Sequence, residues 1–245
     1  MNPVLRLTVL SLRYSSWSIR PWLALRAAGA SFETETVVLP DLATPIDPTG
    51  SDFVGAKRQQ LADRRAQGSV TGFFPVLHVD GIPIHESLAI CEWVAESYPE
   101  AGLWPAETID RARARAVCCE MASDFSHLRG KMPCNVFARV PGFEPDRETM
   151  LEIDRVLEIW RGSLQHSGGP FLFGAFGIAD AMYFPVLKRF RTYGISLGKE
   201  LEVYAEGVES HPAVEAWRSV ARQAPPIPSY DHAIRELGGD PEALL

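Results

Sequence analysis

Apolar and polar residues alternate from Val4 to Leu12 (VLRLTVLSL), the two-residue period of a half-buried strand. From Ile19 to Ala28 the spacing turns helical and stops at Gly29. Pro21 fits only the first turn of a helix, where its missing N–H would have had no partner, so that helix begins at about Trp17 to Arg20. Ser15 and Ser16 then sit at its mouth. Phe32 to Leu39 (FETETVVL) alternates again and is rich in Thr and Val, which predicts a second strand and closes a βαβ unit. A Pro/Asp/Gly/Thr loop from Pro40 to Asp52 and a mostly polar helix from Phe53 to Gln67 follow, and this stretch is expected to be exposed or mobile. Pro75 to Val79 and Ile82 to His85 are short apolar runs joined by Asp80-Gly81, the strongest local signal for a hairpin. Ser87 to Tyr98 is helical in spacing, and Pro99 to Pro105 reads as a linker.

Everything after Ala106 has helical periodicity and no convincing strand. The spacing predicts helices near Glu107 to Gly130, Glu144 to His166, Ile178 to Tyr193, Leu201 to Val208 and Pro212 to Arg222. Pro185 should kink the third. Glu107 stands four residues before Arg111, the favourable order for a helical ion pair, and the alternating Arg111, Arg113 and Arg115 read as a solvated surface.

A length of 245 residues lies between one large domain and two small ones. With 46% hydrophobic and 22% charged residues, wholesale disorder and a fibrous architecture are both unexpected. The net charge of -7 has the wrong sign for a chain that covers phosphate backbones. Phe171 to Leu187, the most apolar stretch, is broken by Asp180, two glycines and Pro185, so no transmembrane segment is expected. Strand patterning at the N-terminus, with Arg6 and Arg13 inside it, argues against a signal peptide and for a cytoplasmic address. Cys91, Cys118, Cys119 and Cys134 form no C-x-x-C pair and read as small core residues.

Nucleotide-binding glycine loops, a phosphate loop and a Gly-x-Ser-x-Gly elbow are all missing from the sequence. His85-Glu86 opens like a zinc-protease helix, but Ala89 stands where the second histidine belongs. What remains is a set of polar groups at helix mouths. Ser87 is a natural N-cap, and the first-turn N–H groups behind it form a site for a carboxylate, while Glu86 beside it suits an ammonium group. Such a pair fits the α-amino acid end of a ligand; it also fits a plain cap with a surface Glu. A cis bond at Phe74-Pro75 would open the Phe74 backbone to an extended peptide-like ligand, whereas a trans bond would make this an ordinary strand start. Tyr14, Ser15, Ser16 and Ser18 place four hydroxyls where the first strand turns into the first helix, and capping explains one or two of them.

YSSWSIRPW followed by FFPVLHVDGIPIHESLAICEWV resembles the glutathione-binding half of cytosolic glutathione S-transferases, and PFLFGAFGIADAMYFPVLKRF resembles the sixth helix of their second domain. The likeness covers nearly the whole chain except Asp41 to Ser69 and the C-terminal tail. The serine-rich opening is most similar to serine-type bacterial enzymes and the zeta class, whose signature is Ser-Ser-Cys-x-x-Arg; Trp17 stands in place of that cysteine. The implied fold is an α+β thioredoxin-like domain (β-α-β-α-β-β-α, residues 1–98), a linker (99–106) and an all-α domain (107–245).

The resemblance implies that Glu86 and Ser87 hold the γ-glutamyl end of glutathione, that Phe74 pairs its backbone with the cysteinyl unit, and that Pro75 is cis. Ser15 matches the hydroxyl that faces the glutathione sulfur, with Tyr14 as the alternative. A thiol of pKa about 8.5 is only about 3% thiolate at pH 7, and a hydroxyl donor with a helix N-terminus would raise that share. Phe73 stands where relatives often carry Lys or Gln, which leaves the glycyl carboxylate to Lys57 or Arg58 as weak substitutes. Gly177-Ile178-Ala179-Asp180 stands for the family's capping box, which makes Asp180 a folding residue. Trp17, Met121, Phe125, Arg129 and Tyr183 are candidates to line the electrophile site, with Arg129 suited to an anionic co-substrate. Expected partners are glutathione, as substrate and the only cofactor-like ligand, a small electrophile, and a second copy in a homodimer; no metal, nucleic acid or membrane is expected. The activity implied is conjugation, isomerisation or dehalogenation, in detoxification. An omega-type thiol reductase would need a cysteine at position 15, and the rival from another class is a non-enzymatic binding module.

Overall fold

In the computed structural model, which describes residues 3–39, 42, 46–47 and 49–244, a four-stranded sheet is followed by a helical array. The strands are β1 (Leu5–Val9), β2 (Glu33–Thr36), β3 (Val76–Val79) and β4 (Ile82–His85), in the order β2-β1-β3-β4. β1 runs parallel to β2, with Leu7 opposite Thr34, and antiparallel to β3, with Leu7 opposite Leu77. The parallel pair requires a crossover, and α1 (Ser16–Ala27) supplies it. The β3–β4 hairpin turns on Asp80 and Gly81, both at positive φ (49° and 85°), the backbone of the Asp-Gly turn expected from the sequence.

α1 packs on α3 (Ser87–Ser97) beside the sheet and also on α7 (Ile178–Tyr193) and α9 (Pro212–Ala221) of the helical array. One continuous apolar core therefore runs from Leu7 and Leu77 through Ile19, Leu23 and Cys118 to Trp160 and Phe190. The opposite sheet face carries only a small cluster, Val37, Leu39, Phe74 and Val76. α2 (Phe53–Ala66) buries no side chain, as its polar sequence anticipates. Of the loop before it, residues 40, 41, 43–45 and 48 lie outside the described residues.

A 3₁₀ turn at Pro99–Ala101 leads into the array: α4 (Thr108–Ser123), α5 (Ser126–Lys131), α6 (Arg147–Ser167), α7, α8 (Gly198–Glu209), α9 and α10 (Pro228–Glu236). The single helix expected over Glu107 to Gly130 is two. Phe125 adopts a left-handed φ of 57°, and the first turn of α5 is capped from afar by the Glu152 carboxylate, which accepts from the N–H groups of His127 and Leu128 at 3.2 and 2.8 Å. α10 was not expected from the sequence; three prolines over Pro225 to Pro228 mask its start, although Pro228 takes the favourable first-turn position. α7 runs through Pro185 as one helix. No helix among the described residues is long and apolar enough to cross a membrane.

Asp180 does the folding work expected of it. Its carboxylate accepts from the N–H groups of Gly177 at 2.9 Å and Leu172 at 3.1 Å, and burial pushes its pKa up to about 6. Gly177 replaces a hydroxyl-bearing cap because a Cβ there would meet the Leu103 carbonyl oxygen at 2.6 Å. Two surface expectations are corrected. Arg111 does not pair with Glu107; its guanidinium donates to the carbonyls of Pro105 and Ala106 at 2.8 and 2.6 Å, tying the helix to the preceding turn. Cys119 is exposed, unlike Cys91, Cys118 and Cys134: on α4 it lies about 100° around the helix from Cys118, which takes the core side.

Candidate active site

Two cavities of about 450 and 430 Å³ open beside the α1 N-terminus and share Trp17, Phe73 and Phe74 as common wall, so they are lobes of one cleft. The first lobe is completed by Thr71, Pro75, His85, Glu86 and Ser87. The Phe74-Pro75 bond is cis and brings the chain into β3 along the floor of this lobe. Glu86 sits at φ 77°, uncommon for a residue with a side chain, and it is Glu86 that caps α3, accepting from the Leu88 N–H at 3.1 Å. Ser87, expected to be the cap, is instead the first helical residue, and its hydroxyl donates to the Trp17 carbonyl at 3.0 Å. That bond joins the start of α3 to the start of α1. A carboxylate and a helix N-terminus thus face one lobe together, the pairing that an ammonium and a carboxylate on one carbon would need.

The second lobe begins where Ser15 caps α1. Ser15 is 6% exposed, and its Oγ accepts from the Ser18 N–H at 3.3 Å and from the Ser18 hydroxyl at 3.0 Å. Both acceptor positions of that oxygen are then taken, so the Ser15 hydrogen is free to be donated. Tyr14 lies beside it on the wall of the same lobe but is only 1% exposed. Its hydroxyl donates to Asp231 at 2.9 Å, and burial followed by that bond pushes its pKa well above the ordinary phenol value. Asp231 also accepts from the Asn135 amide at 3.0 Å, so α10 is bolted through Tyr14 to the loop that carries Ser15 and through Asn135 to the segment after α5.

Three arginines, Arg64, Arg129 and Arg189, line this second lobe, together with Pro133, Cys134 and Tyr230. Arg189 is 6% exposed and spends its Nε on the Met132 carbonyl at 2.8 Å; Arg129 donates to the carbonyls of Met121 and Ala122, each at 3.3 Å. Just behind the wall, fully buried Arg20 lies 4.3 Å from the centre of the Trp17 ring, with Arg129 5.4 Å from the same ring. Burial, then repulsion from Arg189 and Arg129, draws the Arg20 pKa down to about 9, and burial with Arg189 lowers that of Arg129. Among the described residues Arg20, Arg129 and Arg189 pair with no carboxylate, and Nη1 and Nη2 of Arg20 have no acceptor.

Of the expected electrophile-site residues, Trp17 and Arg129 line the cleft. Met121, Phe125 and Tyr183 do not: all three are buried in the core, and the Tyr183 hydroxyl is spent on the Val117 carbonyl at 3.0 Å. Lys57 and Arg58 are placed on exposed α2 and line neither lobe; Lys57 bonds to Gln60. Phe73 is 72% exposed and lines both lobes. Arg64, Arg189 and Tyr230 were missed, since nothing in local spacing connects residues so far apart.

Residues 14–97 match the model of the glutathione S-transferase N-terminal domain, and residues 147–219 that of the C-terminal domain. The chain belongs to the glutathione S-transferase family. A maleylacetoacetate isomerase of Rhizobium meliloti is 33% identical over 136 residues, which is 55% of this chain and 54% of that protein. Another, of Dictyostelium discoideum, is 32% identical over 84 residues, 34% of this chain and 38% of that one. The chain thus matches about half, or less, of the length of these curated relatives. The crystal structure of a maleylacetoacetate isomerase from Anaeromyxobacter dehalogenans, with glutathione in its active site, is 27% identical with a TM-score of 0.59, covering 88% of this chain and 95% of that one. A glutathione transferase homologue from Burkholderia, at 22% identity and a TM-score of 0.64 over 90% of this chain and 99% of that one, shares the fold.

Proposed function

We propose that this member of the family binds glutathione across the two lobes, turns its thiol into a thiolate opposite Ser15, and presents that thiolate to a small electrophile bearing a carboxylate. The observation that carries the reading is the Ser15 hydroxyl: its oxygen is saturated by Ser18, so its hydrogen is offered at the helix N-terminus where the lobes meet. In this reading Glu86 takes the γ-glutamyl ammonium, the α3 N-terminus at Ser87 its carboxylate, and Phe74, held by cis-Pro75, pairs its backbone with the cysteinyl unit. Tyr14 is not the thiolate donor, because its proton is committed to Asp231.

The anionic character of the electrophile is supported by Arg129 and Arg189, which line the second lobe without a carboxylate partner among the described residues. A bound anion relieves the mutual repulsion of buried Arg189 and half-buried Arg129. Isomerisation is the reaction best supported, since both curated relatives and one of the two solved structures named above are maleylacetoacetate isomerases: the thiolate adds to an electron-poor double bond, the resulting single bond rotates, and the sulfur leaves again, so glutathione is returned. Conjugation and dehalogenation use the same thiolate. The division at residues 99–106, a cytoplasmic setting, a homodimer and a role in detoxification complete the proposal, on the strength of the family resemblance. Retention on immobilised glutathione, followed by turnover of matched electrophiles with and without a carboxylate, tests the function. Preference for the acid supports it. Binding without turnover of either would identify a non-enzymatic module.

A further inference from the structure

We propose that Ser18 is a positioning residue that sets the donor strength and direction of Ser15, as the middle link of a hydrogen-bond chain ending on the glutathione sulfur. The inference rests on the role given to Ser15 above. Ser18 is fully buried in the first turn of α1 and lines neither lobe, so it touches no ligand. Its Oγ accepts from the Leu10 N–H at 3.3 Å, and its own hydroxyl donates to Ser15 Oγ at 3.0 Å. Leu10 is the first residue beyond β1, so its N–H belongs to the segment where the chain leaves the sheet. The chain therefore runs from the end of the central strand, through Ser18, to Ser15.

Two consequences follow from this geometry. A hydroxyl oxygen has two lone pairs; with the Ser18 N–H and O–H on both, Ser15 has no direction left in which to accept, and its hydrogen must point away from Ser18. Each donor in such a chain also polarises the next, by about 10–30% per bond, so Ser15 becomes a better donor than an isolated serine. No proton passes along the chain: Ser15 and Ser18 keep their hydrogens, and the proton lost by the thiol goes to solvent.

The test is a spectroscopic titration of the thiol of glutathione bound to the protein, read from thiolate absorbance. Ser18→Ala should raise the apparent pKa by about half to one unit, and so cut turnover about threefold to tenfold on the acid side while leaving the alkaline plateau unchanged. Ser18→Thr, which keeps the hydroxyl, should titrate as wild type. Affinity for S-methylglutathione, which has no thiol to ionise, should be the same in all three proteins. In a Ser15→Ala background, adding Ser18→Ala should produce no further shift. A wild-type titration in Ser18→Ala, additive shifts in the double variant, or lost S-methylglutathione affinity would each overturn the assignment. If Ser15→Ala itself leaves the titration unchanged, the reading of Ser15 falls, and the role of Ser18 with it.

Discussion

The two lobes of the cleft share a wall yet are built by opposite means. The first draws on residues 71–75 and 85–87, a strand start and a helix start separated by one hairpin, and Glu86 is its one carboxylate among the described residues. The second gathers Leu10 and Ser15, Arg129, Arg189 and Tyr230 from four separate parts of the chain and concentrates positive charge. A lobe made of backbone ends and one carboxylate suits a constant ligand. A lobe assembled from distant side chains can change its selectivity without disturbing the first, so recognition of glutathione and choice of electrophile should separate under mutation.

The largest effect should ignore that separation. Asp180→Ala strips the acceptor from two buried N–H groups, that of Gly177 at the start of α7 and that of Leu172 in the segment before it; α7 carries Arg189 and packs on α1. It should cost about 2–4 kcal/mol in denaturant unfolding and weaken both lobes together. The pH dependence has a fixed sign. Because the folded carboxyl is pushed from 3.8 to about 6, the folded state holds its proton more tightly than the unfolded chain. Its contribution to stability is therefore complete below pH 3.8 and lost as pH rises through about 6. Relative to Asp180→Asn, the wild-type protein should lose thermal stability across that window; a constant difference would count against the assignment.

Next in size, Glu86→Gln keeps a capping oxygen but removes the charge. The glutathione Kd from calorimetry should rise about tenfold to thirtyfold, with the ratio of acidic to neutral electrophile turnover unchanged. Arg189→Met should do the reverse, raising KM for the carboxylate-bearing electrophile about tenfold with no change for its neutral analogue or for glutathione affinity. An Arg189→Met variant that lost glutathione binding would erase the contrast between the lobes. Tyr14→Phe should be the mildest, costing about 1 kcal/mol through the lost bond to Asp231 and leaving the thiol titration in place.

The same contrast explains what could be read from sequence. β4 and α7 appear at their expected limits, because period and turn chemistry are local signals. Glu86, Ser87, Phe74 and Pro75 lie in one short stretch, so their proximity was legible, though the sequence could not show that Glu86, at a positive φ, takes the cap in place of Ser87. The second lobe was mostly illegible. Met121, Phe125 and Tyr183 have the chemistry of a pocket wall but the positions of core residues, while Arg189 and Tyr230 reach the cleft only through helix packing. The break between α4 and α5 escaped notice for a related reason: its cap, Glu152, is supplied from a different helix.

The claim on which the rest depends is that Ser15 stabilises a thiolate. Its most direct measurement is the apparent pKa of the glutathione thiol, titrated while bound, in the wild-type protein and in Ser15→Ala. The account predicts a wild-type value about one to two units below the free thiol, with most of that depression gone in Ser15→Ala and glutathione still bound. Equal values in the two proteins, with glutathione bound in both, would contradict it.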